Sequence, residues 1–396
     1  LKPRYFGSEP RKARRMNTVR VVVCGTTFGR IYINGIKKLA DKFSLVAILS
    51  QGSEQSRRLA EQLGVPLCTK IEDLPAFDLA CVVVRSSVVG GSGTQLALEF
   101  LSRGKHVVME HPIHKKDSVD CYRMAAKNNV QFKLNTFYRW NPTISRYLEI
   151  TTTLTRQFKI IHIDAECSIH FLFSTLDIIG RITGGFTPWS FDDDTQVTGI
   201  FTTLTGSIRK TPLCLRVVNH NDPEKPDDFA HVGHRITVFT LAGNLVLTET
   251  DGTIIWHPNT PIPRDQAGLL STAADDRLST LQLHENLLIE PCVTRVALYD
   301  HTWPAGIAEF LNEVYDKLAC SKNEAQEAEY LLALCAVWAR TGQLLGPTCT
   351  VQAAMHAEPL SLESLMWPLG ESHTSPIERN NPNHRNTGEI TWMSQR

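Results

Sequence analysis

VRVVVCGTTFGRIY, residues 19–32, decides the fold. A run of β-branched and apolar residues meets two glycines, Gly25 and Gly29, and then a stretch with helical spacing. Gly25 can make the tight turn out of a strand. Gly29 lets the following helix approach the sheet, so that backbone N–H groups at the helix start can cradle a pyrophosphate. The glycine pattern is degenerate, since a GxGxxG register ending at Gly29 puts Cys24 and Thr26 where glycines belong. Its position, after the first strand of a βαβ run and before a helix, favours dinucleotide binding over a plain strand–helix turn.

Outward from this turn the rhythm persists. A helix over about 30–40 is followed by LVAIL (45–49), a helix ending at Gly64, LACVVV (79–84) and a helix over about 94–103 closed by Gly104. HVVME (106–110), a helix opened near Asp117 and VQFKL (130–134) complete the series. Continuous Val and Ile runs suit strands covered on both faces, and the alternation predicts an α/β Rossmann domain with a doubly wound parallel sheet. After Pro142 the texture turns β-rich. Strands are expected at 158–168, 200–209, 214–218, 235–240, 244–248, 253–256 and 294–298, forming a C-terminal α+β domain on an open, mostly antiparallel sheet. Two helices return near the end, the first carrying Ile307, Phe310, Leu311, Val314 and Leu318, the second over 325–340 and apolar nearly all round.

The expected domains are a flexible basic leader (1–18), an NADP-binding Rossmann domain (19–141), a substrate and dimerisation domain (142–346) and a mostly disordered tail (347–396). The 396 residues allow two to three domains of ordinary size. Hydrophobic residues make up 42% and charged residues 21%, which excludes wholesale disorder and coiled coil. Forty-one Lys plus Arg balance 41 Asp plus Glu, so nothing suggests a surface built for nucleic acid. No apolar run approaches the roughly 18 residues a membrane helix needs, and the basic N-terminus has no apolar segment after it, so a cytoplasmic protein is expected. The ten cysteines include no CxxC pair and read as reduced core thiols.

The second strand ends in Ser50, Gln51, Gly52 and Ser53, with no carboxylate for a ribose 2′-hydroxyl. Without that charge a 2′-phosphate is not repelled, and Arg57 and Arg58 can pair with it; NADPH is expected over NADH, although either arginine could simply solvate a helix face. The expected cofactor contacts are Gly25, Thr26, Thr27, Phe28, Gly29, Ser50, Ser53 and Arg57, joined from other strand ends by Arg85, Ser86, Glu110 and His111.

From residue 19 to about 347 the chain resembles the Gfo/Idh/MocA oxidoreductases. GKHVVMEHPIH (104–114) is similar to that family's GKHVxxEKP segment, NTFYRWNP (135–142) to its NxRxxP-type segment, and GNLVL (243–247) to its glycine turn in the sheet. Two departures count against sugar dehydrogenation: His111 stands for the lysine of EKP, and Ser174 with Asp177 stands for an HxxD pair. CGTTFG, EHPIH and NTFYRWNP together resemble the thiazolinyl imine reductases of siderophore assembly, that of yersiniabactin included. That resemblance implies NADPH-dependent reduction of a thiazoline C=N to a thiazolidine on an intermediate tethered to a nonribosomal peptide synthetase carrier domain.

Such a reduction delivers hydride to carbon and a proton to nitrogen, so one general acid is required. His111 and Tyr138 follow the ends of neighbouring strands, where such folds bind ligands, and the acid is assigned to this pair with Tyr138 as the favoured direct donor; Tyr138 can equally be a packing aromatic. Glu110 can orient the nicotinamide ribose or His111, and Asp177 can hold substrate or tie a helix. GGSG (90–93) offers flexibility and backbone donors to a phosphopantetheine arm. His111 and His114 do not read as a metal pair, because Pro112 opposes a regular helix and no third ligand is evident. The open sheet suggests a homodimer. The competing readings are an NADP-dependent sugar or cyclitol dehydrogenase and a non-catalytic nucleotide-binding regulator.

Overall fold

The computed structural model describes residues 18–222, 230–271, 280–288, 294–320 and 325–351. The expected leader, apart from Thr18, and the expected tail beyond residue 351 lie outside the described residues.

The first half builds a sheet from β1 (Val19–Cys24), β2 (Phe43–Leu49), β3 (Leu67–Cys68), β4 (Leu79–Val82), β5 (His106–Glu110) and β6 (Phe132–Asn135). Between them run α1 (Gly29–Lys37), α2 (Glu54–Leu63), α3 (Gly93–Ser102) and α4 (Lys115–Lys127). The strands are all parallel, in the order β3-β2-β1-β4-β5-β6. The order reverses between β1 and β4, which creates the crevice where open α/β sheets bind ligands.

The second half opens with two helices, α5 (Pro142–Thr155) and α6 (Leu172–Thr183), flanking β7 (Ile160–Ser168). Both helices fall outside the strands expected after Pro142, where the β-rich reading named no helix before the last two. The helix α5 was not among the expected elements; Asn141 caps it by accepting from the Thr143 and Ile144 amides, with Pro142 at the first helical position. The hydroxyls of Thr151, Thr152 and Thr153 each donate to the carbonyl four residues back, so the threonines are satisfied inside the helix.

The second sheet continues with β8 (Trp189–Phe191), β9 (Gln196–Thr198), β10 (Phe201–Ile208) and β11 (Thr211–Val218), while β12 (His220–Asn221) stands apart. It is completed by β13 (Arg235–Thr240), β14 (Gly243–Leu247), β15 (Ile254–Pro258) and β16 (Glu285–Leu288). Its order is β16-β15-β14-β13-β7-β11-β10-β8, with β9 on β10; every pair is antiparallel except β7 with β11. The strand expected over 294–298 is instead a helical turn, α7 (Arg295–Ala297), running into a π-helical turn at Leu298–Thr302. The Thr294 hydroxyl accepts the Ala297 amide and caps it, a local bond that outweighs the weak strand preference of five residues.

α8 (Trp303–Cys320) then returns to the first sheet, where Ile307, Phe310, Leu311 and Val314 share one buried cluster with Val21, Val23, Tyr32 and Ile36. α9 (Ala325–Leu345) packs against α6 and α4, and β17 (Cys349–Thr350) pairs with β12.

Candidate active site

The turn after β1 is shaped for an anion. Gly25 has φ +88°, and a Cβ there would stand 2.5 Å from the Val83 carbonyl oxygen, so only glycine fits. At Gly29 a Cβ would lie 3.1 Å from Val23 Cγ1, the close approach expected of helix to sheet. Phe28 occupies the N-cap of α1 without a side-chain cap bond; the Ile31 amide closes on the Phe28 carbonyl at 2.9 Å, and the Gly29 and Arg30 amides before it are placed for an external acceptor. The Phe28 ring packs edge-on against Phe137 and Trp303, with centroids at 5.1 and 5.7 Å, and so forms a wall of the crevice. Thr27 is exposed beside it.

At the far end of the crevice Thr26, Ser56 and Ser53 form a chain of hydroxyls, with Oγ distances of 2.8 and 2.9 Å. Ser53 caps α2, and Ser50 Oγ accepts the Gly52 amide. Arg57 is exposed and donates from Nε to the Gly52 carbonyl at 3.0 Å, over this loop, whereas Arg58 is paired with Glu54. Arg85 is exposed beyond β4. Ser86 is buried and its hydroxyl donates to the Pro112 carbonyl at 2.6 Å, a bond internal to the protein. The GGSG loop differs from the expectation of free backbone donors, since the Gly91 and Gly93 amides close on the carbonyls of Ser86 and Arg85.

At the ends of β5 and β6 four polar side chains interlock. Glu110 Oε1 lies 2.8 Å from His111 Nδ1, and its Oε2 accepts from the Tyr32 hydroxyl and from Asn135 Nδ2. His111 Nδ1 is also 3.0 Å from the Asn135 carbonyl. Both neighbours are acceptors, so the network assigns the hydrogen to Nδ1 and leaves Nε2 available to a ligand. Of the two roles open to Glu110, the structure shows contact with His111. The His111 ring stacks on Phe173, centroids 5.3 Å apart and planes 22° apart. Burial, reinforced by Glu110, pushes the Tyr32 phenol well up. His114 caps α4 by accepting the Lys116 amide, and among the described residues no group of three His, Cys, Asp or Glu is disposed to hold a metal.

Tyr138 follows a strained residue. Phe137 has φ 56° and ψ −67°, and the Tyr138 amide donates to the Thr136 carbonyl at 2.8 Å across it, a γ-turn. Asn135 Oδ1 accepts the Phe137 amide and holds the turn. The Tyr138 ring is enclosed by Phe137, Phe171 and His234, with centroids at 4.9, 5.3 and 4.6 Å. Burial pushes its phenol up, with Asp251 and Glu110 adding to the effect. Asp177 is fully buried and accepts from Thr136 Oγ1 (2.7 Å), Arg181 Nε (3.0 Å) and the Tyr330 hydroxyl (2.8 Å), so of its two open roles the structure shows the tie between elements. Tyr32, Asn135 and His234 were not picked out from sequence; Tyr32 and Asn135 lay within quoted segments, but nothing local marks His234.

A parallel sheet with a glycine-turn anion cradle, joined to a sheet that presents aromatic and histidine side chains at its mouth, defines a nucleotide-dependent oxidoreductase. Residues 19–136 match the profile of the Gfo/Idh/MocA oxidoreductase family with NAD-binding Rossmann fold. Residues 159–257 match the thiazolinyl imine reductase Irp3-like C-terminal domain. No curated protein matches the chain. Among solved structures the fold is similar to GenD2 from gentamicin A biosynthesis in complex with NAD, at 10% identity and TM-score 0.55 over 84% of this chain and 95% of that one. It is also similar to the WlbA dehydrogenase from Bordetella pertussis in complex with NADH and UDP-GlcNAcA, at 14% identity and TM-score 0.57 over 81% and 94%. A UDP-N-acetylglucosamine 3-dehydrogenase, GnnA from Acidithiobacillus ferrooxidans, aligns at 13% identity and TM-score 0.57 over 82% and 96%. At these identities the likeness is one of fold. A nicotinamide dinucleotide is the cofactor class of the family, and the Gly25 cradle and the uncapped start of α1 fit it. Among the described residues no helix is long and apolar enough to cross a membrane.

Proposed function

We propose that this oxidoreductase uses NADPH to reduce a thiazoline C=N to a thiazolidine on a carrier-tethered nonribosomal peptide intermediate in siderophore assembly, as a cytoplasmic homodimer. The observation that carries this reading is the chemistry around the two candidate acids. His111 lies flat on Phe173, and Tyr138 is walled by Phe137, Phe171 and His234. Aromatic faces suit a planar heterocycle, whereas a polyhydroxylated sugar calls for convergent donors and acceptors. The match of residues 159–257 to the Irp3-like domain supports the same reading.

When bound, the dihydronicotinamide supplies the hydride that adds to the imine carbon. As that bond forms, the C=N π pair moves to nitrogen, which takes a proton from the Tyr138 hydroxyl. His111, bonded to Glu110 through Nδ1, would return that proton from Nε2 as the imidazolium and take a fresh one from solvent. Without the acid an amide-like nitrogen anion would develop between apolar rings, which is costly.

The 2′-phosphate preference rests on Arg57 and the hydroxyls of Thr26, Ser53 and Ser56 at the loop after β2. Loss of one exposed charge-assisted contact is worth about tenfold in affinity. Arg57→Ala is therefore expected to weaken NADPH binding by that factor and to leave NADH binding unchanged, as read by dihydronicotinamide fluorescence titration. Equal losses for both cofactors would remove Arg57 from the phosphate site.

The function is tested by following NADPH oxidation with a carrier domain loaded with an aryl-thiazoline thioester, beside a small thiazoline ester and a panel of sugar nucleotides and inositols with NADP⁺ or NAD⁺. Thiazoline-dependent oxidation with thiazolidine as product is expected. Turnover confined to the sugar arm would replace this reading with sugar dehydrogenation.

A further inference from the structure

The residue immediately before β13, His234, is fully buried, and no motif marks it. Its ring centroid lies 4.6 Å from that of Tyr138, with the planes at 57°, and 5.2 Å from Phe171, edge to face. Both ring nitrogens are engaged: Nε2 is 2.7 Å from Ser174 Oγ, and Nδ1 is 2.9 Å from Thr250 Oγ1. The Ser174 hydroxyl also lies 3.0 Å from the Phe171 carbonyl, which can only accept. With that hydrogen on the Phe171 carbonyl, Ser174 accepts from Nε2–H, and the Thr250 hydroxyl gives its hydrogen to Nδ1 at 2.9 Å in preference to Glu249 Oε1 at 3.2 Å.

Two separate elements thus close on one imidazole carried at the start of β13: α6 through Ser174, and the turn between β14 and β15 through Thr250. That turn is clamped to the start of β13 because Glu249 Oε1 accepts the amides of Gly233, His234 and Thr250 at 2.9, 3.0 and 2.9 Å. Burial lowers the His234 pKa to about 3; the charge of His111 acts in the same direction and Asp177 opposes. His234 is therefore uncharged near neutral pH and is not the proton source.

Tyr138 has the opposite character. Among the described residues its hydroxyl forms no hydrogen bond, and its ring is placed by neighbours and by the strained turn at Phe137. Left-handed backbone at a bulky residue persists only where the surroundings over-determine it. Of the rings that enclose Tyr138, those of Phe137 and Phe171 have no polar anchor, whereas that of His234 is pinned at both nitrogens.

We propose that His234 is a positioning residue: anchored by Ser174 on one nitrogen and Thr250 on the other, it fixes the plane of the Tyr138 ring from which the hydroxyl reaches the reacting nitrogen. Ser174, which breaks the HxxD pattern on α6, is the anchor of a histidine brought in from another element. The proposal rests on Tyr138 as the proton donor of the function proposed above.

The test uses the full chain loaded with NADPH and carrying meta-fluorotyrosine at position 138, in wild type, Ser174→Ala, Thr250→Val, His234→Phe and His234→Gln, each checked for an unchanged thermal transition. Fluorine NMR is expected to give one narrow resonance for wild type and for His234→Gln, whose amide can still bond Ser174. Broadened or split resonances are expected for Ser174→Ala and His234→Phe. With thiazoline acceptor the same two variants are expected to lose about 10- to 100-fold in kcat with KM and NADPH affinity little changed, because misplacing an oriented group costs about that much. A single wild-type-like resonance in Ser174→Ala, Thr250→Val and His234→Phe alike, or several resonances in wild type, would overturn the proposal. Because the fluorine signal needs no acceptor, silence toward thiazolines with the expected NMR pattern would sink the proposed function and leave the positioning role standing.

Discussion

Tyr138→Phe is expected to lower kcat for imine reduction by about 10²- to 10⁴-fold, the usual worth of a general acid, with NADPH affinity unchanged. Phenylalanine keeps the shape that Phe137, Phe171 and His234 enclose, so the loss comes from the hydroxyl and not from packing. The same substitution separates the two candidate donors. If His111, as the imidazolium, protonates nitrogen directly from Nε2, Tyr138→Phe costs little, and His111→Asn, which retains an amide donor toward Glu110, carries the large loss. The pH profile gives a second handle. Burial raises the Tyr138 phenol, so it stays protonated beyond the ordinary tyrosine value of about 10. No alkaline decline of kcat attributable to Tyr138 is expected below that pH. Single-turnover rates of dihydronicotinamide oxidation would decide: a Tyr138→Phe rate within about threefold of wild type is below any general-acid contribution and ends its assignment as donor.

The turn at 25–29 was legible in the sequence because its requirement is local: a φ of +88° beside the Val83 carbonyl admits glycine and little else. The buried strands of the first sheet were legible for a similar reason, since Val and Ile runs between helical stretches leave few alternatives. What failed was also physical. Threonine-rich α5 was not expected as a helix, and its hydroxyls are satisfied there by carbonyls one turn back. Residues 294–298 read as strand until the Thr294 hydroxyl caps a turn. At the site, His111 and Tyr138 could be singled out because they follow strand ends inside recognisable segments. His234 could not, because its importance lies in the meeting of α6, β13 and the β14–β15 turn, partners 60 and 16 residues away. Ser86 shows the converse: its position after β4 suggested a cofactor contact, and its hydroxyl is bonded to the Pro112 carbonyl.

Asp177→Ala is expected to destabilise the fold by about 3–5 kcal/mol, the cost of breaking a buried ion pair by removing one partner. The carboxylate is wholly buried, and three donors from three elements converge on it: Thr136 beyond β6, Arg181 on α6 and Tyr330 on α9. Without it the half-buried Arg181 guanidinium loses its counter-charge, and the Thr136 and Tyr330 hydroxyls lose their acceptor. Thr136 lies directly before the Phe137 turn, so the damage also reaches the backbone that places Tyr138. Burial by itself would raise this carboxyl, but Arg181 and the Thr136 hydrogen bond hold it below the ordinary aspartate value. A folded pKa below the unfolded value of about 3.9 means that this linked stabilisation is fully present above about pH 4 and lost as pH falls through the folded value. Denaturant unfolding of wild type and Asp177→Ala should therefore differ most near neutral pH and converge in acid. A difference that stays constant from neutral pH to about pH 2.5 would show that the charge contributes nothing and that Asp177 acts only by filling space.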